Sequence, residues 1–349
     1  MAWSVPSASC TEAGPLNPLS AVYGQVTRFR RHWYEQRPHR QRQLGIPVVS
    51  VGNLVVGGSG KTPVVAMLAE LLREHGYAPA VISRGYKRRD VTQDVAIVSD
   101  GVSVLAAVDV SGDEPQLLAR RLKGVPVVVG ADRYEAGVVA RDRLGARVVI
   151  LDDGFQHLRL ARTVDLLLLA DADLREQVLP GGRLREPLEA AARADALLVT
   201  ERAQAEALAR RVGVERAFIV RVDSQSLRLV TPFGAVVTPS PRRVVVVAGI
   251  ARPERLVSAV RELGYSVEDQ ITFPDHHWFT AADVERVQAS ARQAGADAIL
   301  TTEKDAVRLE SVATGPVPMM FLPIDAHVEP EDAFTRWLLE RIGPSQVRQ

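Results

Sequence analysis

Short apolar runs alternate with longer amphipathic segments along most of this chain. The runs are rich in Val, Leu and Ile, as is typical of parallel strands that are buried on both faces. The segments between them show the 3.6-residue periodicity of helices. The apolar runs lie at residues 46–51, 78–83, 125–130, 147–153, 164–170, 196–200, 243–248 and 296–301. This alternation predicts an α/β fold in which helices flank a mostly parallel sheet.

The chain has 349 residues, enough for a large domain with a smaller companion. Residues 223–241 contain a Pro-Phe-Gly turn between two short apolar stretches, which predicts a β-hairpin linker between two units. We therefore expect a larger unit at 45–222 and a smaller C-terminal α/β unit at 242–349. Residues 1–16 are small, polar and interrupted by proline, so a disordered tail is expected there.

Residues 17–44 predict a basic amphipathic helix. Its apolar side chains recur at helical spacing at Leu19, Val22, Tyr23, Val26, Phe29 and Trp33. The same segment holds six arginines and one acidic residue, Glu35. Such a helix suits the surface of an anionic membrane, and it equally suits a helix packed on its own domain with a solvated basic face. The pattern alone leaves both interpretations open.

A glycine-rich turn, Gly-Gly-Ser-Gly-Lys-Thr at residues 57–62, follows the first apolar run and precedes a helix. Glycines let backbone N–H groups surround a phosphate, and the helix N-terminus adds further donors. Lys61 is expected to reach the β and γ phosphates of ATP, and Thr62 to bind Mg²⁺. The predicted nucleotide contacts are Val55, Val56, Gly57, Gly58, Ser59, Gly60, Lys61 and Thr62.

One position departs from the strict phosphate-loop pattern. That pattern has a glycine five residues before Gly60, where this chain has Val55. The alternative is an ordinary glycine-rich turn between a strand and a helix. The buried strand before the turn and the amphipathic helix after it favour the phosphate loop.

Two aspartates, Asp152 and Asp153, directly follow the apolar run at 147–151. This is the form of a Walker-B strand, whose end points a carboxylate at the metal of a phosphate loop. A capped loop has the same pattern, but the phosphate loop favours Asp152 as a metal ligand with Asp153 beside it as a catalytic carboxylate. Gln156 and His157 follow in the next turn and are candidates for ordering substrate or water. For His157, a structural or positioning role is favoured over proton transfer.

Three further charged segments allow two interpretations each. Arg84 follows the run at 78–83, where it would contact phosphate or lie in a solvated loop. Asp113 and Glu114 lie at a helix start, where Ser111-x-x-Glu114 fits a capping box better than a catalytic pair.

Arg185 and Glu186 belong to a loop rich in glycine and proline at 179–187. An arginine fork beside a polyphosphate site would clamp a second anionic substrate, and a rigid surface loop is the alternative.

Asp275, His276 and His277 are consecutive. A zinc site is disfavoured, because adjacent histidines do not readily face one metal and no cysteine supports them. A histidine that contacts phosphate, or that orients a carboxylate across a cleft, explains the segment more simply.

Composition excludes several functions. The chain has 43 basic and 42 acidic residues, a formal net charge of +1, so no overall field favours nucleic acid. The single cysteine, Cys10, excludes an internal disulfide and a cysteine-based metal site, which is compatible with a cytosolic compartment. We find no signal peptide, and the apolar runs are far shorter than the roughly 20 residues that cross a bilayer.

Taken together, these motifs resemble the tetraacyldisaccharide 4′-kinases, which phosphorylate the lipid A precursor at the cytosolic face of the bacterial inner membrane. The resemblance covers nearly the whole chain except the first 16 residues. Its motifs are Val-Gly-Asn-Leu at 51–54, Gly-Gly-Ser-Gly-Lys-Thr-Pro at 57–63, Ser-Arg-Gly-Tyr at 83–86, Gly-Asp-Glu-Pro at 112–115, Leu-Asp-Asp-Gly-Phe-Gln-His at 151–157, Gly-Ile at 249–250, Pro-Asp-His-His at 274–277 and Thr-Glu-Lys-Asp-Ala at 302–306.

The resemblance implies roles that the residues alone leave open. It accounts for Val55, since the family's phosphate loop lacks the first glycine. It implies that Asp113 is the general base, that Glu114 lies near the metal, and that His276 approaches the nucleotide with Asp275 as its orienting partner. An Arg-Glu pair on the substrate side is implied at 185 and 186. Membrane contact by the basic helix is now favoured, because the substrate carries acyl chains.

The predicted function is therefore ATP- and Mg²⁺-dependent phosphorylation of a tetraacyldisaccharide 1-phosphate at its 4′-hydroxyl, by a peripheral protein of P-loop NTPase-like fold. A monomer is favoured. One alternative is a nucleotide switch or metallochaperone, which would need a guanine-reading Thr/Asn-Lys-x-Asp motif that the strand ends at 200–203 and 301–305 do not fit. The other is a kinase of soluble small molecules, in which the basic helix only packs.

Overall fold

The structure is a computed structural model that describes residues 18–57, 60–201, 205–236 and 241–344. Its larger sheet has nine strands in the order β14-β8-β7-β6-β1-β5-β2-β4-β3. These strands are β1 (Val48–Asn53), β2 (Pro79–Ser83), β3 (Val95–Ser99), β4 (Val127–Gly130), β5 (Val148–Asp152), β6 (Val164–Leu168), β7 (Ala196–Val199), β8 (Ala217–Ser224) and β14 (Ile324–Glu329). The two edge strands, β3 and β14, pair antiparallel, and the strands between them pair parallel.

Helices cover both faces of this sheet. They are α1 (Pro18–Glu35), α2 (Lys61–Glu74), α3 (Val108–Ser111), α4 (Asp113–Arg121), α5 (Arg133–Leu144), α6 (Ala205–Val212) and α10 (Glu331–Ile342), with short 3₁₀ turns at Pro38–Arg40, Asp171–Arg175 and Leu188–Arg193. Strands β1, β2, β5 and β6 are buried along their whole length, which explains why their sequences are continuous apolar runs. The predicted α/β fold with a mostly parallel sheet is confirmed.

A smaller sheet of five strands follows in the order β11-β10-β12-β13-β9. Its strands are β9 (Arg228–Leu229), β10 (Arg243–Ala248), β11 (Ser266–Thr272), β12 (Ala298–Thr302) and β13 (Met319–Leu322). Helices α7 (Pro253–Glu262), α8 (Ala281–Gln293) and α9 (Glu303–Leu309) pack on it. Helix α9 also packs against α4 of the larger unit, so these two helices join the units.

The predicted boundary of the smaller unit at 242–349 is wrong at its C-terminal end. After β13 the chain returns to the larger sheet, where β14 pairs with β8 from Ile324 to Glu329. Helix α10 then buries Phe334 and Trp337 against Phe218 of β8. Strand β8 would otherwise present an unpaired edge, and β14 supplies its hydrogen-bond partners.

The predicted hairpin at 223–241 is part of the smaller sheet rather than a separate linker. Strand β9 pairs antiparallel with β13, and an isolated bridge joins Arg228 to Val236 across the turn. The last residues of the expected hairpin, 237–240, lie outside the described residues, as does the tail predicted at 1–16.

Helix α1 is amphipathic as predicted, but its apolar stripe faces outward. The buried positions are Ser20, Gly24 and Arg31. The exposed fractions of the apolar side chains are 66% for Leu19, 63% for Val22, 38% for Tyr23, 59% for Val26 and 70% for Phe29. The interpretation in which the stripe packs on its own domain is therefore wrong for these five side chains, while Trp33 is half-buried.

Replacing Phe334 by alanine tests whether α10 belongs to the core of the larger unit. Its ring is fully buried against Phe218 and Trp337. We expect Phe334→Ala to lower the free energy of unfolding by about 3–5 kcal/mol in urea denaturation, because it leaves a cavity. Leu263→Ala, at a half-exposed position of the smaller unit, is the control and should cost about 0.5 kcal/mol or less. Equal losses in the two variants would contradict this packing.

Candidate active site

Strands β1 and β5 are neighbours in the sheet, and their register places Val51 opposite Asp152. Both strands run in the same direction, so the residues that follow them meet at the same edge. This edge brings Asn53 and the phosphate loop next to Asp152 and Asp153. The predicted phosphate loop and aspartate pair therefore form one site.

In the described part of the phosphate loop, the backbone at Gly57 and Gly60 is not covered by other protein atoms. Gly57 has φ of +99° and Gly60 has φ of +77°, and at both positions an added Cβ would meet nothing within 4 Å. Gly60 is the N-cap of α2, with Lys61 and Thr62 in its first turn. Gly58 and Ser59 lie outside the described residues.

Val55 and Val56 have different surroundings. Val55 is buried and forms an antiparallel bridge with Leu184. The backbone N–H of Val56 donates to the carbonyl oxygen of Arg183 at 2.9 Å, and its side chain is exposed. The loop at 179–187 therefore holds the first part of the phosphate loop, and Val55 supports the loop from the core rather than from its open side.

Lys61 and Arg185 both contact Asp153. The Lys61 Nζ lies 3.3 Å from Asp153 Oδ1 and donates to Asn53 Oδ1 at 3.0 Å. The two Nη atoms of Arg185 donate to the two carboxylate oxygens of Asp153, each at 2.8 Å. Burial opposes ionisation of Asp153, but the hydrogen bond with Arg185 and the charges of Lys61 and Arg185 prevail and lower its pKa. Asp153 is therefore ionised and held by two cations.

Asp152 is fully buried and accepts a hydrogen bond from Ser83 Oγ at 3.1 Å. Burial, followed by the charges of Glu114 and Asp153, raises the pKa of Asp152 to about 7. Lys61 opposes this shift. A buried carboxylate whose negative charge is only partly neutralised by nearby cations is well suited to bind a divalent metal ion.

The helix that begins at Asp113 does not use the predicted capping box. Gly112 is its N-cap and makes no side-chain cap hydrogen bond. The Ser111 hydroxyl donates to Gln116 Oε1 at 2.8 Å, and Glu114 accepts from Lys304 Nζ at 3.0 Å. The capping-box interpretation is therefore wrong, and both carboxylates at this helix start have other partners.

The smaller unit supplies those partners. His276 Nδ1 lies 2.9 Å from Asp113 Oδ2, and Arg308 Nη1 donates to the same oxygen at 2.7 Å. His276 Nε2 lies 3.6 Å from Asp275 Oδ2, within ion-pair range but beyond the length of a hydrogen bond. The neighbouring His277 turns away and contacts Asp283 at 3.0 Å. The two histidines thus have separate partners.

Arg133 is a buried cation of this site that the sequence analysis missed. Burial, with the nearby charge of Arg84, lowers its pKa to about 10, while Asp153 and Asp152 oppose the shift. His157 is close to it, and burial together with the charge of Arg133 lowers the pKa of His157 to about 4. His157 is therefore neutral at pH 7. The sequence did contain a signal for Arg133. It directly follows Asp132, which caps α5, just after the end of β4.

Two residues expected on the substrate side have partners inside the protein. Glu186 is buried and accepts a hydrogen bond from Arg31 Nε of α1 at 2.7 Å. Gln156 Nε2 donates to the Asn53 carbonyl oxygen at 3.0 Å. Arg84 is exposed at the end of β2, in the electrostatic range of Arg133. Arg84 is therefore more open to a ligand than Glu186 and Gln156.

P-loop phosphotransferases hold a nucleoside triphosphate with a lysine at the start of a helix and an aspartate at the end of the neighbouring parallel strand. This fold and site place the chain in that class. The model of the tetraacyldisaccharide-1-P 4′-kinase family matches residues 13–343. The chain belongs to this family. The predicted resemblance and kinase class are thereby confirmed over a nucleotide switch or metallochaperone.

Individual relatives agree with this assignment. A tetraacyldisaccharide 4′-kinase of Desulfotalea psychrophila is 41% identical over 308 residues, which cover 85% of this chain and 88% of the relative. One of Geobacter metallireducens is 43% identical over 303 residues, covering 84% and 88%. The crystal structure of an LpxK from Aquifex aeolicus in complex with ATP matches with a TM-score of 0.76 and 32% identity, over 93% of this chain and 98% of that one.

The raised pKa of Asp152 predicts a stability that depends on pH. The pKa of Asp152 is about 7 in the folded protein, and its ordinary value, expected in the unfolded chain, is 3.8. Between about pH 4 and pH 7 the folded protein therefore holds a proton that the unfolded chain has released, and the free energy of unfolding falls as the pH rises through this range. We expect Asp152→Asn to be more stable than the parent at pH 8 without Mg²⁺ and nucleotide. The difference should shrink towards pH 4.

The measurement is urea denaturation at several pH values. Asp142→Asn is the control, because the Asp142 carboxylate lies on the surface beside Arg141. If the parent protein were more stable than Asp152→Asn at pH 8, Asp152 could not be a buried carboxylate with too few neutralising partners.

Proposed function

We propose that this protein transfers the γ-phosphate of ATP to the 4′-hydroxyl of a tetraacyldisaccharide 1-phosphate, a step of lipid A biosynthesis. The observation that carries the proposal is the contact between Asp113 and His276, which joins the two units, next to Glu114, whose charge acts on Asp152. Family membership supports the substrate, and the relatives bear the name of this activity.

The donor side is built by the larger unit. Lys61 would move from Asp153 to the β and γ phosphates, since a flexible ammonium exchanges partners easily. Arg185 would keep Asp153 in place meanwhile, because its bidentate contact fixes the carboxylate plane. The open backbone at Gly57 and Gly60 would accept the phosphate oxygens.

The acceptor side is the pair formed by Asp113 and His276. Asp113 Oδ2 accepts from both His276 and Arg308, so the described contacts leave Oδ1 for the sugar hydroxyl. The pair positions that hydroxyl for in-line attack and takes its proton as the phosphoryl group is transferred. Asp275 would orient the imidazole of His276 from the other nitrogen.

Mg²⁺ fits this donor set. Within the described parts of the chain, no three or more His, Cys, Asp or Glu side chains are grouped to hold a metal ion. This agrees with Mg²⁺ chemistry, in which one or two carboxylates act together with phosphates and waters. We assign Asp152 and the Thr62 hydroxyl to the ion, with Glu114 nearby. Bound Mg²⁺ would neutralise charge on the β and γ phosphates.

The exposed stripe of α1 supports peripheral binding to a membrane. Leu19, Val22, Val26 and Phe29 form a row of large apolar side chains on the surface. Arginines of the same helix and the following segment would meet anionic headgroups. In the described residues no helix is both long and apolar enough to cross a bilayer. Because ATP is the donor, we place the protein on the cytosolic face of the inner membrane.

The activity and the acceptor pair can be tested together. Labelled ATP, Mg²⁺ and the tetraacylated disaccharide should give a phosphorylated lipid. Asp113→Ala and His276→Asn should each lower kcat by about 100-fold or more, with the KM for ATP changed by less than about threefold, because proton transfer is lost and nucleotide binding is kept.

His277→Asn is the matched control, since His277 contacts Asp283 and not Asp113. If kcat of Asp113→Ala stayed within about twofold of the parent value, the assignment of Asp113 would be wrong. If ATP bound and no lipid product formed with the parent protein, the proposed function itself would be wrong.

Membrane binding is tested by substitutions on the outer face of α1. We expect Val26→Ser with Phe29→Ser to lower binding to anionic liposomes by about tenfold or more in flotation, because two exposed apolar side chains no longer insert. Gln25→Ser, at an exposed polar position of the same helix, should bind like the parent. Unchanged flotation of the double variant would rule out this face as the anchor.

A further inference from the structure

Arg308 is a fully buried arginine in α9, and its three described hydrogen bonds go to two carboxylates and a carbonyl. Its Nη1 donates to Asp113 Oδ2 at 2.7 Å, and its Nη2 donates to the Gly249 carbonyl oxygen at 3.2 Å and to Asp305 Oδ1. The exposed fraction of its side chain is 0%. Burying a guanidinium is costly unless its partners are well placed.

The partners of Arg308 form a closed network within the smaller unit. Gly249 N–H donates to Asp305 Oδ2 at 3.0 Å, and the Gly249 carbonyl oxygen accepts the backbone N–H of His276 at 3.0 Å. The same carbonyl oxygen accepts from Arg308. Arg308 and His276 are therefore fixed relative to each other through one peptide unit.

This network reaches the larger unit at one atom. The Arg308 Nη1 and the His276 Nδ1 both lie within 3 Å of Asp113 Oδ2, at 2.7 Å and 2.9 Å. Two donors on one oxygen fix both the position and the rotation of a carboxylate. Asp113 is thus oriented from the opposite unit.

We infer that Arg308 is a positioning residue for the phosphoryl transfer, which holds Asp113 and His276 in register when the two units are together. The inference rests on the proposed role of the Asp113 and His276 pair. Arg308 acts through Asp113 and contacts no substrate. Its planar guanidinium presents separate Nη atoms to Asp113 and Asp305 in a fixed fork, a geometry that a lysine ammonium does not reproduce.

A simpler role would be general adhesion between the units. Arg120 offers a comparison, because it lies at the other end of α4 and also contacts the smaller unit. Its Nη1 donates to Glu310 Oε1, at the end of α9, at 3.0 Å, and its guanidinium lies 4.7 Å over the ring of Phe233. Loss of adhesion alone would make substitutions of Arg308 and Arg120 equivalent.

The test measures kcat and KM for Arg308→Lys, Arg308→Gln and Arg120→Gln. Arg308→Lys keeps the buried charge, so it is the variant expected to fold, and a nucleotide-binding isotherm checks this. We expect kcat to fall by about 10-fold for lysine and about 100-fold for glutamine, with the KM for ATP within about threefold of the parent value. Arg120→Gln should change kcat by less than about threefold.

A double-mutant cycle separates positioning from stability. In an Asp113→Asn background, Arg308→Lys should lower kcat by less than about twofold, because the group that Arg308 positions has already lost its function. Equal losses in the two backgrounds, or an Arg120→Gln effect equal to that of Arg308→Lys, would overturn the inference.

The two levels of proposal fail differently. Full activity of Asp113→Asn would refute the proposed acceptor pair. An impaired Asp113→Asn together with a fully active Arg308→Lys and Arg308→Gln would refute the role of Arg308 alone.

Discussion

Four carboxylates lie close together where β1 and β5 of the larger sheet end: Asp113, Glu114, Asp152 and Asp153. Their mutual repulsion is the constraint on which the rest of the structure depends. Like charges in a buried site are tolerated when cations or protons neutralise them. Arg308 binds Asp113, Lys304 binds Glu114, and Lys61 with Arg185 bind Asp153. Asp152 has a hydroxyl partner instead, and its pKa rises to about 7. The cations come from three separate segments, so assembling the site requires most of the fold.

The same constraint explains why the smaller unit is joined to the larger one through α9. That helix carries both Lys304 and Arg308, and it packs on α4, which begins with Asp113. Burial would lower the pKa of Lys304, but Glu114 outweighs it and raises that pKa, so the cation is kept charged by its partner. The same contacts therefore neutralise charge and join the two units, and His276 lies against Asp113 at this junction.

Helix α1 reverses the usual pattern of burial, since its small and polar residues face the protein and its large apolar residues face outward. Ser20 and Gly24 are small enough for close packing, and Arg31 is held by Glu186 and stacks 4.6 Å over Phe155. These contacts hold the helix by polar and small residues, so its large apolar residues are left outside. The buried Arg31–Glu186 pair also links the helix to the loop that carries Arg185, which binds Asp153.

Sequence by itself determined the local motifs: the phosphate loop after β1, the aspartates after β5 and the alternation that gives a parallel sheet. These follow from neighbouring residues and from the rule that parallel strands end at one edge. The tertiary structure alone decided the return of β14 and α10 to the larger sheet, the buried position of Arg133, the partner of Glu186 and the contact of Arg308 with Asp113. These depend on residues far apart in the chain, 195 positions in the case of Arg308 and Asp113, and no local pattern records which distant side chain will neutralise a buried charge.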